Sequence, residues 1–328
     1  MQLTDLPQIS SPLPWQAAQW CHISELIEAG RLPHALLLVG GQYTGKSHLA
    51  LALSRLLLCA APVNGLNCGH CHACELSASG GHGDFRWLQP EEKSRVIKID
   101  QVRDVVKFTN QTAGFGARKV VVLAPADSMN VNAFNALLKS LEEPAADTFL
   151  FLVCHRLHNV PATIRSRCQL LRLPAPGEEP SLDWLEQLTG SREDSSSLLE
   201  LADGRPLLAE QLYRQGGSEE LQARRLGLHA LFAGKITAPQ VRPAWDDTEV
   251  DEFLEQVTEE IQRRLCSLSR EQLASRQGRG AFSLLDELGQ LRQAVSAGAN
   301  PGKQLLLDAV LAKIQRELGG GCLGDKIA

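Results

Sequence analysis

A short glycine-containing loop between an apolar run and a helical pattern constrains this chain more than any other feature. Residues 40–47, with the sequence GGQYTGKS, match the pattern G-x4-G-K-[ST] at every fixed position. The run Ala35–Val39 before them predicts a buried strand, and residues 47–58 after them predict a helix. In such a strand–loop–helix unit, backbone N–H groups and the helix N-terminus surround phosphate oxygens. The candidate nucleotide-binding residues for ATP or ADP with Mg²⁺ are Gly40 and Gly45, which shape the loop, Lys46 for the β- and γ-phosphates, and Ser47 for the metal.

The first 173 residues alternate short apolar runs with helical patterns. Besides Ala35–Val39, strands are predicted at Phe85–Leu88, Val120–Leu123, Phe149–Cys154 and Gln169–Leu173. Helices are predicted over 47–58, from an Asp100 N-cap to about residue 112, and over 130–143. This alternation predicts an α/β domain, residues 1–173, with a parallel sheet covered by helices on both faces.

A change of composition after residue 173 predicts further domains. The segment 174–180, PAPGEEP, has the composition of a linker, and three short helical patterns follow at 181–188, 195–202 and 206–215. We therefore expect a small three-helix lid domain at 174–217. Residues 218–328 contain long helical patterns and no convincing strand, so an all-α C-terminal domain is expected there.

The charge balance and the ends of the chain limit its class. The 328 residues carry 33 Lys+Arg and 38 Asp+Glu, a formal net charge of -5, which argues against holding nucleic acid by the overall field. The first residues have neither a basic nor an apolar signal region, and no apolar run approaches the roughly 20 residues that span a bilayer. The expectation is a soluble cytoplasmic protein without a membrane partner.

The strand that should carry the catalytic acids ends on residues that have none. ATP hydrolysis at a loop of this kind needs a carboxylate for Mg²⁺ after a neighbouring strand, and ATPases of this kind also use an adjacent acid to activate water. After Val120–Leu123 the chain continues with Ala124 and Pro125, and the nearest acid is Asp127. Asp127 could contact Mg²⁺ through water or serve only as a turn residue. We expect the loop to hold nucleotide and the chain to hydrolyse it poorly or not at all.

Four of the nine cysteines lie close together in the sequence, within residues 59–74. Cys59 is followed by Cys68, Cys71 and Cys74, which form two consecutive C-x-x-C steps. Four thiolates suit a closed tetrahedral Zn²⁺ site, which is structural because it leaves no open position. His70 and His72 are alternative ligands within the same segment.

Taken together, these motifs resemble a known family. Arg31–Ala35 leads into the phosphate strand, Asn135–Pro144 (NALLKSLEEP) follows the degraded acidic motif, and Ser166-Arg167-Cys168 precedes the last strand. With the phosphate loop and the cysteines, they resemble the clamp-loader branch of the AAA+ ATPases, in particular the non-motor kind of subunit in the bacterial DNA polymerase III clamp loader. The resemblance implies an AAA+ P-loop domain, a helical lid and a helical collar. It also implies that Arg167 is an arginine finger acting in trans on a neighbouring ATPase subunit. Arg205 lies where such ATPases often carry a nucleotide-sensing arginine, and the alternative is an exposed residue at a helix start.

The resemblance further implies a role in DNA replication. The partners would be tau/gamma-type motor subunits and a delta subunit in a hetero-pentamer, a sliding clamp and primed DNA. The chain would then be part of the DNA polymerase III holoenzyme, a nucleotidyltransferase, without itself being a competent ATPase. An active ATP-hydrolysing tau/gamma-type subunit remains the main alternative. A P-loop kinase and a zinc-dependent nucleic-acid-binding module fit the motifs less well.

Overall fold

The five predicted strands form one parallel sheet. The computed structural model describes residues 7–91, 94, 96–296, 299 and 301–320. The strands are β1 (Ala35–Val39), β2 (Phe85–Leu88), β3 (Lys119–Leu123), β4 (Thr148–Cys154) and β5 (Gln169–Arg172), each within one residue of its prediction. Their order is β2-β3-β4-β1-β5, and all pairings are parallel. Because β1 lies between β4 and β5, the order of the strands reverses next to it. Parallel sheets bind ligands at the carboxyl ends of the strands at such a reversal.

Helices cover both faces of this sheet, as predicted. Successive residues of β1 face opposite cores: Leu37 packs with one apolar cluster and Leu36 with the other. The first six helices are α1 (Ala17–Glu28), α2 (Lys46–Leu58), α3 (His72–Ala78), α4 (Ile99–Thr109), α5 (Val131–Glu142) and α6 (Ala162–Arg165). Side chains of α1 and α2 lie in the Leu36 cluster, and those of α4, α5 and α6 lie in the Leu37 cluster.

The ends of α4 differ from the prediction. Its N-cap is Lys98, and Asp100 lies inside the first turn. The side chain of Gln101 accepts a hydrogen bond from the Lys98 N–H at 2.9 Å, which defines the start of the helix. The helix ends at Thr109, before the predicted residue 112, where the buried Lys119 ammonium donates to the carbonyls of Phe108 and Gln111. The prediction that Asp100 is the N-cap was therefore wrong, because the Gln101 side chain sets the start of the helix. The predicted C-terminal end was wrong because Lys119, from another element, binds the last carbonyls.

Three helices follow the sheet, as the composition change predicted. They are α7 (Glu178–Thr189), α8 (Arg192–Leu201) and α9 (Pro206–Gln215). They share a small apolar core that includes Leu182, Leu185 and Leu199. We call these three helices the lid. The chain divides into two compact units, residues 1–214 and 215–328, so the finer division at residues 173 and 217 stays a prediction.

The second unit is helical in the residues that the structure describes. Its helices are α10 (Ser218–Phe232), α11 (Ala238–Val241), α12 (Val250–Cys266), α13 (Arg270–Leu273), α14 (Arg276–Ser296) and α15 (Lys303–Leu318). Trp245 and Phe253 meet edge to face at 5.0 Å within its core. None of the helices in the described part of the chain has the length and apolar character needed to cross a bilayer.

Candidate nucleotide site and metal centre

The phosphate loop leaves the carboxyl end of β1 and enters α2 at Lys46. Gly45, the N-cap of this helix, has a φ of 86°, a left-handed value that favours glycine. A Cβ at Gly45 would also lie 2.3 Å from Leu13 Cδ1, and one at Gly40 would lie 2.7 Å from the Leu173 carbonyl oxygen. Both motif glycines are therefore required by their surroundings, which fits their predicted role in shaping the loop.

A cavity of about 470 Å³ opens above this loop. This volume is in the range of small-molecule sites. The loop and the start of α2 supply most of its wall, and the end of β4 and the lid helix α9 supply the rest. The lining residues are Gln42, Tyr43, Gly45, Lys46, Ser47, His48, His155, Leu207, Glu210 and Gln211. The structure thus brings Gly45, Lys46 and Ser47 into one cavity, whereas Gly40 and Arg205 are not among its lining residues.

The Lys46 side chain is folded onto the loop itself. Lys46 is only 2% exposed, and its ammonium donates to the carbonyl oxygen of Gly40 at 3.0 Å and to that of Gly41. Burial lowers the pKa of Lys46 to about 8, although Asp127 and Cys154 act in the opposite direction. A phosphate group entering the cavity would give this poorly solvated cation a stronger partner than the two carbonyls.

The end of β3 supplies no carboxylate to the site. Ala124 is buried in the apolar cluster under α2, and Pro125 follows it. Asp127 lies in a short 3₁₀ turn, and its Oδ1 accepts a hydrogen bond from the backbone N–H of His155 at 2.8 Å. The Asp127 carboxylate therefore fixes the start of the segment after β4, which gives it a structural function in the site.

His48, His155 and the lid residue Glu210 also line the cavity, and the sequence analysis singled out none of them. Burial and the nearby Lys46 charge lower the pKa of His155 to about 4, against the effect of Asp127. Burial also lowers the pKa of His48, and Glu210 on the lid opposes that shift. A signal for His155 was available, because it follows a buried strand at the binding edge of the sheet. Glu210 had no such signal, since its position depends on how the lid packs.

The four cysteines of residues 59–74 converge as predicted. Their sulfur atoms all lie within 4.8 Å of one another, and the Cys59–Cys71 and Cys68–Cys74 pairs are each 3.9 Å apart. A tetrahedral zinc site with Zn–S bonds of about 2.3 Å has sulfurs roughly 3.8 Å apart. The cluster thus fits a structural metal site.

Hydrogen-bond donors surround the sulfurs. The backbone N–H of Cys68 donates to Cys59 Sγ at 3.3 Å, and that of Cys71 donates to Cys68 Sγ at 3.4 Å. Such donors stabilise thiolates, which are the metal-binding form. The two histidines of the segment lie outside the four-sulfur group: His70 Nδ1 is 2.9 Å from the Cys68 carbonyl oxygen, and His72 is exposed.

Arg167 lies on the surface at the end of α6. Its guanidinium pairs with Glu142 at 2.5 Å and donates to the Thr163 carbonyl oxygen at 2.8 Å. Arg205 lies between the lid helices α8 and α9, and its side chain donates to the Ala202 carbonyl oxygen at 2.9 Å. Its guanidinium carbon is 5.9 Å from the centre of the Tyr43 ring. Arg205 is thereby in contact range of the phosphate loop, while Arg167 is not among the residues that line the cavity.

The chain is similar to known proteins along most of its length. Residues 15–177 match the family model described as DNA polymerase III, delta subunit. The DNA polymerase III subunit delta′ of Pseudomonas aeruginosa is 39% identical over 318 residues, 92% of this chain and 96% of that protein. The Escherichia coli subunit delta′ is 37% identical over 66% of this chain and 65% of that protein.

A DNA polymerase III gamma subunit-related protein from Thermotoga maritima has a TM-score of 0.49 and 20% identity, covering 91% of this chain and 99% of that one. The sequence relatives establish the family by themselves, given the identity to the Pseudomonas protein over nearly its whole length. This chain therefore belongs to the delta′ subunits of the DNA polymerase III clamp loader.

Proposed function

We propose that this chain holds a nucleotide without hydrolysing it and assists hydrolysis in a neighbouring motor subunit of the clamp loader. The observation that carries this proposal is the contrast between the phosphate loop and the strand two places away. The phosphate loop has every residue of its motif, with Lys46 buried in it, whereas β3 is followed by Ala124 and Pro125. Without a carboxylate there, neither the metal nor the attacking water has its usual partner.

The experiment compares binding with turnover. The isolated chain should bind Mg·ATP in calorimetry, and Lys46→Ala should abolish that binding. Steady-state phosphate release should be the same for the wild type and for Lys46→Ala, because neither activates water. Turnover that Lys46→Ala removes would contradict the proposal and would favour an active motor subunit.

The four cysteines hold one structural Zn²⁺ in this proposal. The closed sulfur set and the N–H donors around it support zinc, which prefers four thiolates in structural sites. Metal analysis of the purified chain should give one zinc per chain. Cys74→Ser should lower that ratio, and zinc well below one equivalent in the wild type would reject the site.

Arg167 is the proposed finger that acts on the neighbour. Its position at the surface supports the role, because a side chain that serves another subunit has to be reachable. The guanidinium pairs with the Glu142 carboxylate at 2.5 Å, and the side chain is still 34% exposed. The planar, permanently charged guanidinium suits a phosphate of ATP.

The similarity to delta′ subunits supports a proposal for the wider assembly. The proposed partners are tau/gamma-type motor subunits and a delta subunit, and the assembly places a sliding clamp on primed DNA. Residues 218–328 are proposed as the collar that joins the subunits. Arg205 is proposed to report on the bound nucleotide, and its contact with the Tyr43 ring supports a link between the lid and the phosphate loop.

A further inference from the structure

Residues 7–16 run from the metal centre to the phosphate loop, and we call this segment the strap. At the metal end it is held by Asn67, which is 1% exposed. The Asn67 side-chain oxygen Oδ1 accepts from the Ser10 N–H at 2.9 Å, and its side-chain nitrogen Nδ2 donates to the Gln8 carbonyl oxygen at 2.8 Å. The same amide nitrogen lies 3.4 Å from Cys74 Sγ and donates to it. One buried side chain thus joins a metal-ligating sulfur to the strap.

Two further contacts fix the strap to the same region. Arg55, buried in α2, donates to the Pro7 carbonyl oxygen at 2.6 Å and to Ser10 Oγ at 2.8 Å. Ile9 packs so closely on Gly69 that a Cβ there would lie 2.8 Å from Ile9 Cγ1. The start of the strap is therefore held both by the cysteine segment and by α2.

The other end of the strap is hydrogen-bonded to the phosphate loop. Gln16, which is 1% exposed, donates to the carbonyl oxygens of Thr44 at 3.1 Å and Gly45 at 2.9 Å. The Trp15 indole donates to the Thr44 oxygen at 3.0 Å as well. The Leu13 N–H in turn donates to the Gln16 side-chain oxygen at 3.0 Å, so the amide group of Gln16 is bonded on both sides.

The Thr44 and Gly45 carbonyls set the direction of the backbone N–H groups that would face a phosphate. In a planar trans peptide the C=O and N–H point in opposite directions. Holding the Thr44 oxygen therefore orients the N–H of Gly45, and holding the Gly45 oxygen orients the N–H of Lys46. Gln16 thus acts as a positioning residue for the donors of the phosphate loop.

We propose that the strap couples the metal centre to the phosphate loop, so that an intact cysteine cluster preorganises the loop for nucleotide. A metal ion fixes the Cys74 sulfur, the sulfur orients Asn67, Asn67 fixes residues 8–10, and the strap then presents Gln16 to the loop. The nucleotide part of this inference rests on the proposed function above, whereas the coupling itself does not.

The first test measures nucleotide affinity in the full chain. Gln16→Leu should weaken binding of Mg·ATP and ADP about tenfold, and Asn67→Ala about fivefold, within the range of ordinary coupling between sites. Asn67→Ala should keep one zinc per chain, because all four cysteines remain. Glu75→Ala changes an exposed side chain next to Cys74 and should leave affinity within about twofold of the wild type.

The second test does not need a nucleotide. Amide hydrogen exchange in residues 40–47 should rise in Gln16→Leu, in Asn67→Ala and in wild type stripped of metal by a chelator, but not in Glu75→Ala. Unchanged exchange in zinc-loaded Asn67→Ala, or in the wild type stripped of metal, would overturn the coupling. Absence of nucleotide binding in the wild type would overturn the proposed function alone, and exchange would still decide the coupling. If Asn67→Ala loses zinc, the metal-stripped wild type decides it, since that sample keeps Asn67 and every residue of the strap.

Discussion

Replacing Arg167 by Ala should separate stability from function. In this chain Arg167 pairs with Glu142, and the two side chains are 34% and 48% exposed. Ion pairs that exposed contribute about 0.2–1 kcal/mol. The Thr163 carbonyl that Arg167 also contacts can be rehydrated when the guanidinium is removed, since this bond is exposed. We therefore expect the free energy of unfolding to fall by less than about 1 kcal/mol, measured by urea denaturation of the isolated chain.

The effect on hydrolysis should be far larger. Arginine fingers in other nucleotide hydrolases contribute about 10³–10⁵ in turnover. In the reconstituted clamp loader, the one ATP site next to this chain should lose its fast phase in single-turnover, DNA-stimulated hydrolysis. The other sites should keep theirs, so the loss appears as a reduced amplitude. Size-exclusion chromatography should show that the complex still assembles.

Two matched variants test the reasoning. Glu142→Gln breaks the same ion pair and should cost similar stability, yet it leaves the guanidinium in place and should retain the fast phase. Arg165→Ala removes a neighbouring charge and should also retain it. An undiminished fast phase in Arg167→Ala would refute the role in trans, and equal losses in Glu142→Gln would indicate that the ion pair serves only the local fold.

Three other substitutions probe the site and both units. Gly45→Ala should destabilise the chain by at least about 1 kcal/mol, because alanine is strained at a φ of 86° and its Cβ would meet Leu13. Thermal unfolding should show the lower stability, and calorimetry should show weaker nucleotide binding. Asp84→Asn should cost about 1–3 kcal/mol, since the buried carboxylate accepts three N–H bonds from residues 114–116. Burial alone would raise the pKa of Asp84, but those bonds lower it, so its contribution is present above the unfolded value near 4 and is lost as pH falls through the folded pKa. Urea unfolding between pH 7 and pH 3 should therefore be less pH-dependent in Asp84→Asn. Glu260→Gln should cost about 3 kcal/mol in urea unfolding, because the buried Glu260 carboxylate is the shared partner of His229, Arg263 and Arg264. A cost below about 0.5 kcal/mol would show that the other contacts of these three side chains compensate for the lost charge.

Features that are contiguous in the chain could be predicted from the sequence. The strands appear as short apolar runs, and the phosphate loop is one uninterrupted stretch in which each residue type has a local geometric reason. The cysteine cluster is nearly as local, because the two C-x-x-C steps turn tightly and only Cys59 comes from farther away. Composition and spacing suffice in such cases, since the partners of each residue are its neighbours in the chain.

The rest depended on which distant segments the fold brings together. Gln16 and Thr44, Asn67 and Ser10, and Asp127 and His155 are joined by hydrogen bonds across 28, 57 and 28 residues.

Nothing in the local pattern around Gln16 or Asn67 distinguishes a buried hydrogen-bonding amide from an exposed one. The C-terminal end of α4 was mispredicted for the same reason, because Lys119 reaches it from another element. Local preferences specify the elements and the motifs, but polar side chains acquire their partners only when the order of the strands is established.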